Sequence, residues 1–337
     1  MSATATRQLS FGQATLEAMQ LAMRADERVI LLGEDIGWGG SFGQFRGLRE
    51  EFGAERVIDM PISEAIIVAA SVGAAATGLR PVASMSFVEF TMGAMDEIVN
   101  QAAKLRYMFG GQVSVPLVLR ASDGTLRSSA AQHSESFEAI FAHVPGLRVV
   151  APSTAADAKG LLISAIEDDD PVIYLENKKI GSSRGEVPEG RHAVPLGRAA
   201  VRREGTAVTI LAYSIMARHA EQACAELAEE GIDAELVDLR SLAPLDLETI
   251  VASVRKTRRA VVCHESWTVG GLGAEVAARI AEELFDELEA PVVRVGAKSA
   301  HIPFSPPLER AVVPQHEEIV EAARQVVSRR RQPVKED

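Results

Sequence analysis

Cysteine is scarce: Cys224 and Cys263 are the only two in 337 residues. Neither sits in a CxxC pair and both fall in apolar segments. That excludes a disulfide framework and makes buried free thiols in a reducing compartment the expectation. Long apolar runs are also lacking. The longest uncharged one, Ala65 to Leu79, spans about 15 residues, fewer than the roughly 20 that cross a bilayer. Positive charge is in deficit, with a net charge of −12. Neither nucleic acid nor a membrane is therefore expected as a partner. Met1–Ser10 carries one arginine and no apolar core, so no secretory signal is expected and a cytoplasmic location is. The histidines lack HxxxH or similar spacing, which argues against zinc. No short-period repeat or low-complexity tract occurs. The tail Ser328–Asp337 is basic, then acidic, and is expected to fray.

What is present is globular: 47% apolar and 24% charged, with length for about two domains. Short β-branched runs, apolar on both faces, predict strands at Val29–Leu32, Val57–Met60, Val82–Ser86, Leu117–Arg120, Val149–Ala151 and Val172–Leu175. Helical patterns lie between them at Gln13–Ala25, Glu64–Gly78, Met92–Phe109, Glu135–Ala142 and Ala155–Asp168. A second block predicts strands at Val208–Ala212, Glu235–Leu239, Ala260–Cys263 and Val292–Val295. Its helices are Ile215–Glu230, Leu247–Arg255, Ala274–Leu288 and Glu317–Val327. The fold class is α/β, with two doubly wound domains of mostly parallel sheet. They cover residues 1–180 and 206–337, and 181–205 is a linker rich in Gly, Pro, Arg and Ser.

One carboxylate stands out. In Asp59-Met-Pro-Ile-Ser-Glu64 the proline stops a strand, Ser63 offers a helix N-cap, and Glu64 opens a helix that is small or aliphatic all round. Such helices are buried, which would place Glu64 where there is little water. Two readings fit: an acid complementing the helix dipole, or a functional carboxylate. Gln132-His-Ser134 presents a similar choice. Ser134 can cap a helix and leave His133 on the preceding loop, either bonded to a backbone carbonyl or free to exchange protons. The glycines of Cys263–Val276 look like a dinucleotide fingerprint but fail it. Val276 stands where the third glycine or alanine is needed, and no acid follows at the required distance. A tight turn capping a helix is the expected role.

Together these segments resemble one family: beta subunits of the thiamine diphosphate-dependent dehydrogenase component of 2-oxo acid dehydrogenase complexes. Pyruvate, branched-chain 2-oxo acid and acetoin dehydrogenases share them, and they are transketolase-like. The resemblance runs from about Leu9 to Pro314 through Gly33-Glu-Asp35, Pro61-Ile-Ser-Glu64, Gly78-Leu-Arg-Pro81, Asn100-Gln-Ala-Ala-Lys104, Gln132-His-Ser134, Asp157-Ala-Lys-Gly160 and Val237-Asp-Leu-Arg240. It implies a pyrimidine-binding domain followed by a transketolase C-terminal domain. It implies that Glu64 bonds the cofactor's pyrimidine nitrogen, that Phe90 packs on the pyrimidine with Ser86 nearby, and that His133 assists acyl transfer to a lipoyl arm. It also implies a structural potassium ion on oxygens of Leu117, Ala165, Ile166, Asp168 and Asp170.

Thiamine diphosphate enzymes hold Mg²⁺ and the diphosphate with Gly-Asp-Gly and a later Asn. This chain has no such pair, so the resemblance assigns both to an alpha subunit, in an assembly of two alpha and two beta chains. The lipoyl acyltransferase component and a small 2-oxo acid or acetoin complete the expected partners. Trp38-Gly-Gly40 and Arg106-Tyr-Met-Phe-Gly-Gly111 lean towards acetoin-type members. Thr125, Arg127 and Glu135 depart from the family pattern. The competing class is a non-catalytic dinucleotide-binding or assembly subunit using the Gly270–Gly273 turn.

Overall fold

The computed structural model describes residues 5–329, so most of the tail expected to fray lies outside the described residues. The chain forms two compact units. The first runs to Gly197, apart from Arg127–Ala131, and adds Ser241–Pro244; the second holds Arg127–Ala131, Arg198–Arg240 and the chain from Leu245.

The first unit is built on a seven-stranded sheet. Its order is Ser241–Ala243, Arg148–Val150, Val172–Asn177, Val118–Asp123, Arg80–Met85, Val29–Gly33, Val57–Asp59. All neighbours are parallel except the first pair. Parallel strands need cover on both faces, and every residue of Val29–Gly33 is buried. On one face Val29, Leu31, Val82, Val118, Val172 and Tyr174 meet Met19, Met23, Leu161 and Leu162 of helices Phe11–Ala25 and Ala155–Glu167. The alternate residues Ile30, Leu32, Leu119 and Ile173 are buried on the other.

The caps explain where these helices begin. Ser10 and Gln13 form a reciprocal capping box at 3.1 and 2.9 Å. Thr154 accepts the Asp157 N–H at 3.1 Å, as the Pro152-Ser-Thr154 signal predicts.

Several expectations need correction. The single helix expected over Met92–Phe109 is three pieces: a 3₁₀ turn at Val88–Ala94, a π-helical stretch at Glu97–Ala102 and a short helix at Leu105–Met108. The helix expected from Glu135 starts at Glu138, and Ser134 does not cap it. The expected linker is not free chain. Arg184–Pro188 pairs antiparallel with Thr6–Ser10, and Ala200–Arg203 pairs antiparallel with Ala234–Asp238. These short strands are half-polar, so hydrophobic periodicity does not reveal them.

The second unit has a five-stranded sheet in the order Val293–Ala297, Ala260–Trp267, Val208–Ala212, Ala234–Asp238, Ala200–Arg203, parallel except at the last pair. Helices Ser214–Glu229, Leu247–Thr257, Leu272–Leu284 and His316–Ser328 pack on it. Asp246 caps its helix through Thr249 N–H at 3.2 Å. The glycine turn has a structural cause. A β-carbon on Gly273 would stand 2.5 Å from the His264 ring, and one on Gly271 would stand 2.7 Å from it. His264 is fully buried. The glycines thus make room for a histidine of the preceding strand, which answers the dinucleotide reading. Both cysteines are buried and free, and burial pushes Cys224 up to about 11 and Cys263 higher still. No helix among the described residues is long and apolar enough to cross a membrane.

A deeply buried ion pair lies in the first unit. Arg120 is 2% exposed. It forms a two-armed ion pair with Glu176, donates to Thr15 Oγ1 at 2.9 Å, and stacks 4.8 Å over the Phe45 ring. Arg120→Met leaves Glu176 unpaired in a poorly hydrated site and should destabilise the chain by about 3–5 kcal/mol. Urea unfolding of the purified variant measures this, and a change below about 1 kcal/mol contradicts it.

Candidate cofactor and active site

The site gathers on the carboxyl edge of the first sheet, where every parallel strand releases its chain into a loop. Val57–Asp59 leads through Pro61 to Glu64. Ser63 takes the N-cap position, but its hydroxyl makes no capping bond, so the first turn keeps open N–H groups. Glu64 itself is half-buried. The helix it opens is not covered all round, contrary to expectation. Ile67, Val68, Ser71, Val72 and Ala75 are buried, whereas Ile62, Ile66, Ala69, Ala70, Gly73 and Thr77 form an exposed stripe. Ile62 is 75% exposed and Ile66 55%. A β-carbon on Gly73 would meet nothing within 4 Å.

Arg80–Met85 releases Ser86, Phe87, Glu89 and Phe90. Gly93 of this 3₁₀ turn lies against Glu64, since a β-carbon there would stand 4.0 Å from Glu64 Cβ. This brings the turn that carries Phe90 beside Glu64. Ser86 Oγ is 3.4 Å from Ser41 Oγ.

Val118–Asp123 releases the loop that carries His133, in a 3₁₀ turn at Ala131–His133. The His133 ring meets Phe87 at 4.7 Å and Phe90 at 5.5 Å, both edge to face. Phe87 also contacts Phe90 at 5.5 Å and Phe42 at 5.8 Å. Glu64, Phe90 and His133 therefore belong to one neighbourhood: Glu64 adjoins the Phe90 turn, and Phe90 adjoins His133.

Sequence reasoning missed Phe87, Glu89, Lys178 and Glu34. Lys178 follows strand Val172–Asn177 and pairs with Glu89 at 3.4 Å, both side chains almost fully buried. Glu89 Oε2 and Ser134 Oγ are buried without a hydrogen-bond partner. Glu89 immediately precedes Phe90, but a carboxylate in a 3₁₀ turn carries no signal of its own.

These residues suit an aminopyrimidine ring. A carboxylate can hold or share a proton with a ring nitrogen, phenylalanine edges and faces supply an apolar wall, and two buried polar atoms remain to be satisfied. They do not suit a diphosphate, because Glu34 and Asp35 add acids to the same edge as Glu64. Among the described residues no three His, Cys, Asp or Glu side chains converge as a metal cage.

Of the five residues expected to hold potassium, Ile166, Asp168 and Asp170 meet arginines. Arg80 Nη1 donates to Ile166 O and Asp168 O, each at 3.0 Å, and Nη2 donates to Asp169 at 2.6 Å. Asp170 pairs with Arg106 and Arg148, and Leu117 O accepts the Val172 N–H at 2.8 Å. Ala165 is buried in its helix. Guanidinium groups thus meet three of the five residues, while Leu117 O serves a backbone amide.

Glu34 reports the acidity of the edge. Burial, then Asp35 and Glu64, raises its carboxyl above the ordinary range. The folded state therefore binds this proton more tightly than the unfolded chain. As pH rises past the ordinary carboxylate range the unfolded state ionises first, and stability falls until Glu34 ionises in the fold. Glu34→Gln should raise the melting temperature at pH 7 and leave it near the wild-type value below about pH 4. Paired melts across that range check it; equal gains at both ends would contradict the assignment.

Comparison with known proteins agrees with this architecture. Residues 7–182 match the transketolase pyrimidine-binding domain, and 197–319 match the transketolase C-terminal domain. The acetoin:2,6-dichlorophenolindophenol oxidoreductase subunit beta of Bacillus subtilis (strain 168) is 44% identical over 93% of this chain and 96% of its own. Pyruvate dehydrogenase E1 component subunit beta-2 of Oryza sativa subsp. japonica, mitochondrial, is 45% identical over 96% of this chain and 88% of its own. The corresponding Rickettsia felis subunit is 42% identical over 95% and 98%. Among solved structures, a split-gene transketolase described as an inactive beta4 tetramer superposes with a TM-score of 0.77 at 26% identity, over 96% of this chain and 99% of that one. With both domains matched in order and relatives alike along nearly their whole length, this chain belongs to the transketolase-like family of pyruvate and acetoin dehydrogenase beta subunits.

Proposed function

We propose that this chain is the beta subunit of a thiamine diphosphate-dependent 2-oxo acid dehydrogenase. It oxidatively decarboxylates pyruvate or a branched-chain 2-oxo acid and passes the acyl group to lipoyl groups of an acyltransferase component. The observation that carries the reading is Glu64, half-buried in the first turn of its helix beside the Phe90 turn. The cofactor, when bound, supplies the electron sink for cleavage next to the carbonyl. Glu64 holds a proton at the pyrimidine nitrogen of the bound ring. Phe90 and Phe87 exclude water, and Ser86 offers a hydroxyl at the rim. His133, held edge-on by both rings, exchanges the proton of acyl transfer.

The acid-rich edge supports a shared site. Mg²⁺ and the diphosphate are held by an alpha subunit, in an assembly of two alpha and two beta chains. The exposed stripe Ile66, Ala69, Ala70, Gly73 and Thr77 is the face it covers, since small residues let another backbone approach closely. Two buried free thiols suit the cytoplasm. A second reading, cleavage of acetoin with the same residues in the same roles, is favoured by the oxidoreductase relative from Bacillus subtilis and by the Trp38 and Arg106 segments.

With the alpha subunit present, Glu64→Gln should assemble normally and lose about 10²–10⁴ in turnover, because an amide cannot share the proton. Exchange of the thiazolium proton, followed by NMR, reads the step directly. A wild-type exchange rate in this variant would sink the assignment of Glu64.

Gly73→Leu should weaken assembly with the alpha subunit while leaving the melt of the isolated chain within about 0.5 kcal/mol, since the new side chain points into open space. Sedimentation velocity with and without alpha separates the two effects. A normal heterotetramer with a collapsed melt would remove the interface argument.

A further inference from the structure

The loop that carries His133 is closed at its base by two buried charges. Gly124 N–H donates to Glu135 O at 2.9 Å, which draws the loop ends together. Lys178 Nζ donates to Gly124 O at 2.9 Å and to His133 O at 3.1 Å, one acceptor on each side of the loop. Glu89 Oε1 accepts the Glu135 N–H at 2.7 Å and faces Lys178 Nζ at 3.4 Å. The Lys178 ammonium also lies 4.9 Å over the Phe87 ring, the ring that contacts the His133 imidazole at 4.7 Å. The lysine and glutamate side chains are 1% and 7% exposed. An ion pair this buried is weak as a source of stability, and its attested use is to fix one arrangement among several.

Resting on the reading of His133 given above, we propose that Glu89 and Lys178 are positioning residues. They hold the Gly124–Glu135 loop so that the His133 ring stands edge-on to Phe87 and Phe90 and meets the incoming lipoyl group in one orientation. Neither touches the reacting atoms. The geometry is that of a clamp. The ammonium grips the two backbone carbonyls, the carboxylate grips the amide next to them, and each neutralises the other. Lysine suits the task because its three donors can be split among two carbonyls and a carboxylate. Phe87 serves both parts, as the platform for the ammonium and as the wall for the imidazole.

The test uses the holoenzyme assembled with its alpha subunit and a free lipoyl domain as acceptor. Lys178→Met should lower kcat for lipoyl acylation by about 10–100-fold, the scale of a group displaced by an ångström, without a matching rise in the substrate KM. His133→Ala should fall comparably. The double variant His133→Ala/Lys178→Met should be no slower than His133→Ala by more than about twofold, because a clamp has nothing left to position. Hydrogen exchange should rise at amides Gly124–Glu135 in Lys178→Met and stay unchanged in the sheet. Glu89→Gln/Lys178→Met removes both charges together and provides a foldable version of the same test.

Losses that multiply in the double variant, or loop exchange at the wild-type rate, overturn the proposal. If loop exchange rises while His133→Ala transfers acyl groups at the wild-type rate, the clamp stands and the role given to His133 falls.

Discussion

The register between two central strands, locked by Arg120 and Glu176, is the constraint on which the rest of the first unit depends. The strand Val118–Asp123 carries the guanidinium, and the strand Val172–Asn177 carries the carboxylate. Thr15 ties in the first long helix. A slip of one residue would turn every side chain of a strand to the opposite face. With both faces apolar, hydrophobic pattern alone discriminates poorly between registers. A buried pair of charges does so strongly, because a misaligned strand leaves each charge unpaired in a poorly hydrated interior. The strands that it aligns end at Asp123 and Asn177, one step before Gly124 and Lys178. The His133 loop and its clamp therefore inherit their relative position from this pair.

The polar residues of the unit collect where parallel strands finish. Glu34 follows Gly33, Glu64 follows the strand ending at Asp59, Ser86 to Phe90 follow Met85, Gly124 follows Asp123 and Lys178 follows Asn177. Parallel topology requires this. All strands run the same way, so all their exits lie on one edge, and open α/β sheets bind ligands there. Each exit contributes a few residues, and proximity arises from the strand order rather than from closeness in sequence. The π-helical and 3₁₀ segments after Met85 belong to the same edge, and irregular helical turns of this kind recur at functional sites.

Charge gives this edge its character. Burial first, then the nearby Asp35 and Glu64, raises the carboxyl of Glu34. Arg80, Arg106 and Arg148 meet Ile166, Asp168 and Asp170, three of the five residues that the family resemblance assigned to potassium. One set of acids is left exposed to a ligand, and the other is closed by guanidinium groups. That difference follows from which arginines the fold brings within reach, which residue type alone does not reveal.

By itself the sequence determined the class of fold, most strand and helix positions, and the residues Glu64 and His133 as candidates, with Phe90 added by the family resemblance. These depend on local signals: β-branched runs, cap residues, a strand-stopping proline, and ordered motifs. Ser134 and Ser63 show where local signals stop, since each was a good capping residue and neither makes the capping bond. Only the tertiary structure decided that Glu89 and Lys178, 89 positions apart, meet beneath the His133 loop. It alone decided that the Gly271 and Gly273 turn makes room for His264 and that the Glu64 helix leaves one stripe bare. Pairings across that distance are set by strand order and register, which depend on packing over the whole sheet and leave no trace in a short window of residues.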